Sequence, residues 1–160
     1  SNDGRFLASG SSDQSVRIWD PKNAILIKTY IRPYPSPVNS VVFLPDDTSL
    51  IYACADRTIR IRDLRIGKIK KMLTDFKSGI NSIAISPNGK FLAIANADRS
   101  LRVLDIWQGA KETISPFNDE VTAVAFSPDG KLLIAGTKDA NIKIWNVFDY
   151  SSFWRNISLG

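Results

Sequence analysis

Sixteen carboxylates and 21 lysines and arginines carry most of the acid–base and electrostatic chemistry open to this chain, because it contains no histidine. That absence excludes Ser-His-Asp and Cys-His nucleophilic arrangements and histidine-ligated zinc. The single cysteine, Cys54, cannot form an internal disulfide or a cysteine-pair metal site, and it fits a reducing compartment. With no secretion-type signal at its start, the chain reads as intracellular, cytoplasmic or nuclear. Paired carboxylates of the kind that flank a glycosidic bond occur only as Asp46-Asp47 and Asp119-Glu120. Immediate neighbours in sequence seldom oppose one another across a substrate. No Asp-x-Asp-x-Asp calcium loop and no Gly-x-Gly phosphate cradle is present. The expectation is therefore a non-enzyme with no catalytic residues, no metal and no cofactor. Asn156-Ile157-Ser158 has the form of a glycosylation sequon, but nothing in the sequence brings it to the secretory pathway.

The electrostatics offer more. The net charge is +5, and Arg57, Arg60, Arg62, Arg65, Lys68, Lys70 and Lys71 place seven basic residues in a run broken by one acid, Asp63. Read linearly, such a run points to an acidic protein or to nucleic acid. It contains no aromatic residue on which a base could stack. Nucleic-acid or ribonucleoprotein association through this basic middle segment is thus the alternative reading, behind protein binding.

What positions these residues is a repeat. Residues 40–64, 82–106 and 123–147 align without gaps, and residues 1–21 match their later portion. Four aspartates anchor the alignment, Asp13, Asp56, Asp98 and Asp139, spaced 43, 42 and 41 residues apart. Eleven residues before each anchor a turn begins, at Asn2, Pro45, Pro87 and Pro128; six residues after come Trp19, Arg62, Leu104 and Trp145. Residues 121–127 are β-branched, small and aromatic with apolar side chains on both faces, as in a strand covered on both sides. Ser127-Pro128-Asp129-Gly130 then makes a tight turn, Pro presetting φ and Gly accepting the left-handed conformation. Asn88-Gly89 repeats that chemistry, whereas Asp47 stands where Gly would be easier. Two further strands follow, separated by the anchor Asp, whose carboxylate can hold nearby backbone N–H groups, and a more variable fourth leads into the next unit. A sustained helical period is absent.

A four-stranded unit of this length, carrying Ser-Pro-Asp-Gly and ending in Ile-Trp-Asp, resembles the tryptophan–aspartate (WD) repeat of β-propellers. The resemblance covers essentially the whole chain. It implies an all-β fold, a propeller arc of about four blades, each a four-stranded antiparallel sheet, with the first blade lacking its innermost strand. The domain is expected to run over 1–160, in units of about 1–37, 38–79, 80–120 and 121–160. Propellers of this family most often close with about seven blades, so the chain reads as part of a larger ring. The resemblance also implies a hydrogen-bonded tetrad of Trp, Ser/Thr, the turn Asp and a His. By position the Ser/Thr sites fall on Ser11, Cys54, Asn96 and Thr137 and the Trp sites on Trp19, Arg62, Leu104 and Trp145. The His sites fall near Tyr34, Phe76 and Phe117, so the tetrad is incomplete throughout. The anchor aspartates Asp13, Asp56, Asp98 and Asp139 are read as turn-formers first. Arg62, at a Trp site between blades, needs a partner, expected to be Asp56 or a backbone carbonyl. The basic residue two before each Trp site (Arg17, Arg60, Arg102, Lys143) recurs in all units, which points to a role within the blade.

The resemblance implies a non-catalytic scaffold that docks peptides or folded proteins on the face formed by the anchor turns and the loops entering each first strand. The residues expected there are Tyr34, Ser36, Asn39, Arg57, Lys77, Asn81, Arg99, Asn118, Thr122 and Lys138. Pro33, Pro35 and Pro37 stiffen the Tyr34 loop. Arg57 and Arg99 hold the same turn position in successive units, suited to a carboxylate or phosphate. No apolar stretch approaches the ~18 residues of a membrane helix, so no membrane partner is expected. Self-association through open blade edges is a further expectation.

Overall fold

The computed structural model describes residues 1–31, 36–109, 111–114, 117–147 and 155–157; no helix occurs among them. The chain divides into two compact units, Ser1–Ile80 and Asn81–Gly160. In the first unit, β1 (Leu7–Gly10), β2 (Ser15–Asp20) and β3 (Ile25–Ile31) form a three-stranded sheet. Beside it lies a four-stranded sheet of β4 (Val38–Phe43), β5 (Ser49–Cys54), β6 (Thr58–Asp63) and β7 (Ile69–Leu73). The sheet of β8 (Ile80–Ile85), β9 (Phe91–Asn96), β10 (Leu101–Asp105) and β11 (Lys111–Ile114) comes next. The last sheet holds β12 (Val121–Phe126), β13 (Leu132–Thr137), β14 (Ile142–Asn146) and β15 (Arg155–Ile157). Each is an antiparallel meander in sequence order, and the first has three strands, as the repeat spacing requires.

The burial pattern follows the sequence pattern in the central strands but not in β12, where Thr122, Ala123 and Ala125 are exposed although the sequence suggested cover on both faces. Every residue of β5 and of β9 is buried, so both faces of these central strands are covered, which accounts for their unbroken apolar runs. In the first unit, Val16, Ile18, Val38, Leu50, Tyr52 and Cys54 make the core, with Phe6, Tyr30, Phe43 and Leu64 packed against it. The equivalent core of the second unit gathers Phe91, Val103, Phe117, Val121, Leu133 and Trp145. Close approach of the first two sheets explains one glycine: a Cβ on Gly10 would lie 2.5 Å from Val38 Cγ1. There the Val38 N–H donates to Ser11 O at 3.0 Å.

Two turn designs repeat. In the Ser-x-x-Gly turns, Ser86 and Ser127 accept the N–H of Phe91 and Leu132 at 2.9 Å and donate to Asn88 and Asp129 at 2.6 Å. Gly89 and Gly130 take φ near 70°. Ser1 builds the same turn around Gly4. Asp47 adopts φ 54° in the corresponding position, and its carboxylate accepts the Asn2 and Asp3 N–H groups at 2.8 and 3.0 Å. That link to the preceding sheet offsets the left-handed strain of a residue with a Cβ.

Candidate functional site

Each anchor aspartate closes its hairpin. Asp13 accepts the Ser15 N–H and hydroxyl at 2.9 and 2.6 Å, and Asp56 accepts the same groups of Thr58 at 3.2 and 2.6 Å. Asp98 accepts the Ser100 hydroxyl, and Asp139 that of Thr137. The Asp13 carboxyl is held well below its usual range by the Ser15 hydroxyl first, then by the Ser15 N–H and Arg17. The residue after each anchor, Gln14, Arg57, Arg99 and Ala140, is left-handed, with φ between 63° and 74°. A residue with a Cβ is strained there.

The recurrent basic position has its blade-level role in three sheets. Arg17, Arg60 and Arg102 pair with Asp13, Asp56 and Asp98 four residues earlier, at 2.5, 3.5 and 3.2 Å. The fourth, Lys143, sits 4.5 Å from the centre of the Phe117 ring. Phe117 also packs edge-on against Trp145, ring centres 5.8 Å apart, so aromatic contact fills a position expected for His. Trp19 departs from the expected pairing with Ser11, donating instead to Ser9 Oγ at 2.9 Å. The Ser11 hydroxyl accepts the Asp13 N–H at 3.2 Å.

Arg62 finds a backbone carbonyl, as one of the two expected partners: Nη1 donates to Gly67 O, while Asp56 goes to Arg60. The sequence did not disclose its second contact, Tyr30, over whose ring the guanidinium lies at 4.5 Å. The rest of the basic run disperses. Lys70 and Arg65 both reach the buried Asp63, at 2.8 and 3.1 Å. They hold its carboxyl far below the ordinary range, Arg65 most, against the opposing effect of burial. The carboxylate pairs are likewise occupied: Asp46 accepts the Thr48 N–H and hydroxyl, and Asp119 the N–H of Glu120.

The anchor turns lie beside the loops that lead into the first strands. In the first unit the Ser36 hydroxyl accepts the Asp56 N–H at 2.8 Å, and Arg57 Nη1 reaches Lys77 O at 3.4 Å. In the second, the Phe117 N–H donates to Arg99 O at 3.1 Å, and Lys138 Nζ lies 3.6 Å from Glu120. Arg57, Arg99, Lys138 and Thr122 are exposed. Asn39 and Asn81, expected among the contact residues, turn their amides to the backbone, donating to Ile80 O and Val121 O at 2.9 Å each. A β-bulge between Val38 and Ser40 places Asn39 for this, and Thr122 sits at the matching bulge, its hydroxyl on Gly136 O at 3.2 Å. The 42-residue recurrence of Asn before a β-branched strand was the signal for this tie. Tyr34, with Pro33 and Pro35, lies outside the described residues. Among the described residues no group of His, Cys, Asp or Glu could hold a metal ion, and no helix is long and apolar enough to cross a membrane.

Comparison with known proteins agrees with the geometry. Residues 1–20, 26–63, 67–105 and 111–146 each match the family described as WD domain, G-beta repeat. A segment of 65 residues is 43% identical to the Denticleless protein homolog of Danio rerio, covering 38% of this chain and 10% of that protein. Four repeats are matched beside four antiparallel sheets, each match ending with the next-to-last strand of a sheet (β2, β6, β10 and β14), and the chain belongs to the WD-repeat family of β-propellers.

Proposed function

We propose that this chain is a non-catalytic docking scaffold whose protein or peptide partners are received at the ends of the sheets that carry the anchor turns. The observation that carries this reading is the conformation of Arg57 and Arg99. Both are exposed, and both occupy a left-handed turn position where glycine would relieve strain. An arginine retained there at an energetic cost fits a contact role, its planar fork matching carboxylate or phosphate. Lys138 and Thr122 stand at neighbouring positions of the same kind of surface, and the Tyr34 loop belongs to it by sequence. Nucleic-acid association draws less support, because Arg60, Arg62, Arg65 and Lys70 of the basic run are engaged within their own unit.

The test uses glycine substitutions. Arg57→Gly and Arg99→Gly are expected to raise stability by about 1 kcal/mol each through relief of the left-handed strain. Affinity for a partner recovered by affinity capture should fall about tenfold or more at the same time. Lys68→Ala, at an exposed position of the opposite sheet end, should leave that affinity within a factor of about two. Variants that gain stability and keep full affinity would refute the contact role of the two arginines.

A further inference from the structure

We propose that Thr74 is a phosphorylation site whose phosphate pairs with Arg57 and Lys77, and so withdraws Arg57 from docking at its anchor turn. The withdrawal rests on the docking role proposed above; the pairing does not. Thr74 directly follows β7, is exposed, and its hydroxyl makes no hydrogen bond among the described residues. Hydroxyls in the turns of the repeats are committed to carboxylates, as those of Ser15, Thr48, Thr58 and Ser100 are.

The sheet register brings the acceptor beside the arginine. Ile59 pairs with Leu73, so the next step of the antiparallel ladder sets Thr74 level with Thr58, the neighbour of Arg57. Arg57 Nη1 meets Lys77 O at 3.4 Å, so the guanidinium lies against the loop that Thr74 opens. Neither Arg57 nor Lys77 makes an ion pair among the described residues. Residues 56–60 and 71–77 hold four cations, Arg57, Arg60, Lys71 and Lys77, against two carboxylates, Asp56 and Asp75. Asp56 pairs with Arg60 at 3.5 Å, and Asp75 has an interaction of its own. The excess of two positive charges matches a phosphate monoester, which carries about −1.5 to −2. A phosphate also offers the Arg57 fork two oxygens in place of one distant carbonyl.

The same segment carries what a kinase would recognise. Lys70 and Lys71 precede Thr74 by four and three residues, the charge pattern that basophilic protein kinases read. Strand β7 is the outer strand of its sheet, and residues 74–76 have no regular structure. The segment is thus free to enter a kinase cleft as extended chain without opening the rest of the sheet. In the transfer, Thr74 Oγ1 bonds to the γ-phosphorus of ATP, its proton passes to the kinase's catalytic aspartate, and ADP leaves.

The experiment incubates the whole chain with ATP and the catalytic subunit of a basophilic serine/threonine kinase, and maps the product by mass spectrometry. Phosphate is expected on Thr74, absent in Thr74→Val and incorporated about tenfold more slowly in Lys71→Ala. Phosphorus NMR then follows the phosphate through its second ionisation, which lies at about pH 6 when unperturbed. In the native chain it should lose its proton at lower pH than in the free phosphorylated peptide of residues 70–77. Arg57→Gly and Lys77→Ala should each move the titration back toward that of the peptide, and circular dichroism melting should show both variants folded. The phosphorylated chain should bind a captured partner about tenfold more weakly, as Arg57→Gly does. The site is overturned if no phosphate enters at Thr74, if the titration matches the free peptide, or if Arg57→Gly leaves it unmoved. The regulation is overturned if the phosphorylated chain keeps an affinity that Arg57→Gly loses. Full affinity in Arg57→Gly refutes the docking role alone, since the NMR titration needs no partner.

Discussion

Arg62 fills a third-strand position that holds tryptophan in the first and last sheets, and it does so by behaving as a flat side chain. Its guanidinium lies over Tyr30 and donates to Gly67 O, so planar contact and a hydrogen bond replace an indole. Arg62→Lys keeps the charge and loses the plane; a loss of about 1 kcal/mol in urea denaturation is expected. The aspartates make a second prediction at this scale. Asp13 and Asp63 are held well below the ordinary carboxylate range, and Asp3 is lowered to about 2, by hydrogen bonds and neighbouring cations. Burial pushes the Asp105 carboxyl up, but the N–H groups of Gln108 and Trp107 and the Lys90 ammonium outweigh it, so it too is lowered. A depressed folded pKa contributes stability above the unfolded value of about 3.9, and that stability is lost as pH falls below it. Stability should therefore be flat near neutrality and decline below about pH 4, and Asp63→Asn should make the decline shallower. Thermal melts across pH that show equal acid sensitivity in both proteins would contradict this.

At the scale of elements, the sheets of each unit are joined by a few specific devices. Gly10 allows β1 to approach β4, and a methyl group there meets Val38 at 2.5 Å. Gly10→Ala is expected to cost about 1–3 kcal/mol, as overpacking does, and to lower the Tm. Asn39 and Asn81 tie the start of one first strand to the start of the next through a side-chain amide. Asn39→Ala should cost about 1 kcal/mol in chemical denaturation. Partner affinity at the anchor turns should not change with it, since the amide is committed to the backbone. Strand β3 differs from β7 in the same framework: β7 carries Lys70 and Lys71, ordinary protection of an outer edge, while β3 carries Ile25, Leu26 and Ile27.

For the whole molecule, a net charge of +5 does not by itself decide between protein and nucleic acid, because the decision rests on how many cations are unengaged. A chain binding duplex DNA through several phosphates would lose about 10³–10⁵ in affinity between about 50 and 200 mM salt. Docking through one or two arginines should lose less than about tenfold over that range. Binding titrations of a captured partner at the two salt concentrations distinguish the outcomes.

The sequence alone determined the all-β architecture, the repeat register and the position of every anchor turn. These depend on short-range chemistry: Pro, Asn, Asp and Gly in tight turns, and apolar runs between them. It also indicated that Arg62 needed a carbonyl or carboxylate and that the basic residues before each Trp site serve the blade. Only the tertiary structure decided that Arg62 stacks on Tyr30, that Trp19 pairs with Ser9, and that Asn39 and Asn81 join neighbouring strands. The same is true of Ile27 and Ile66, 39 residues apart, which open on one cleft. Apart from the two asparagine ties, which recur with the repeat, these contacts join residues whose separation along the chain carries no periodic signal of its own, and their side chains meet only once the sheets have packed.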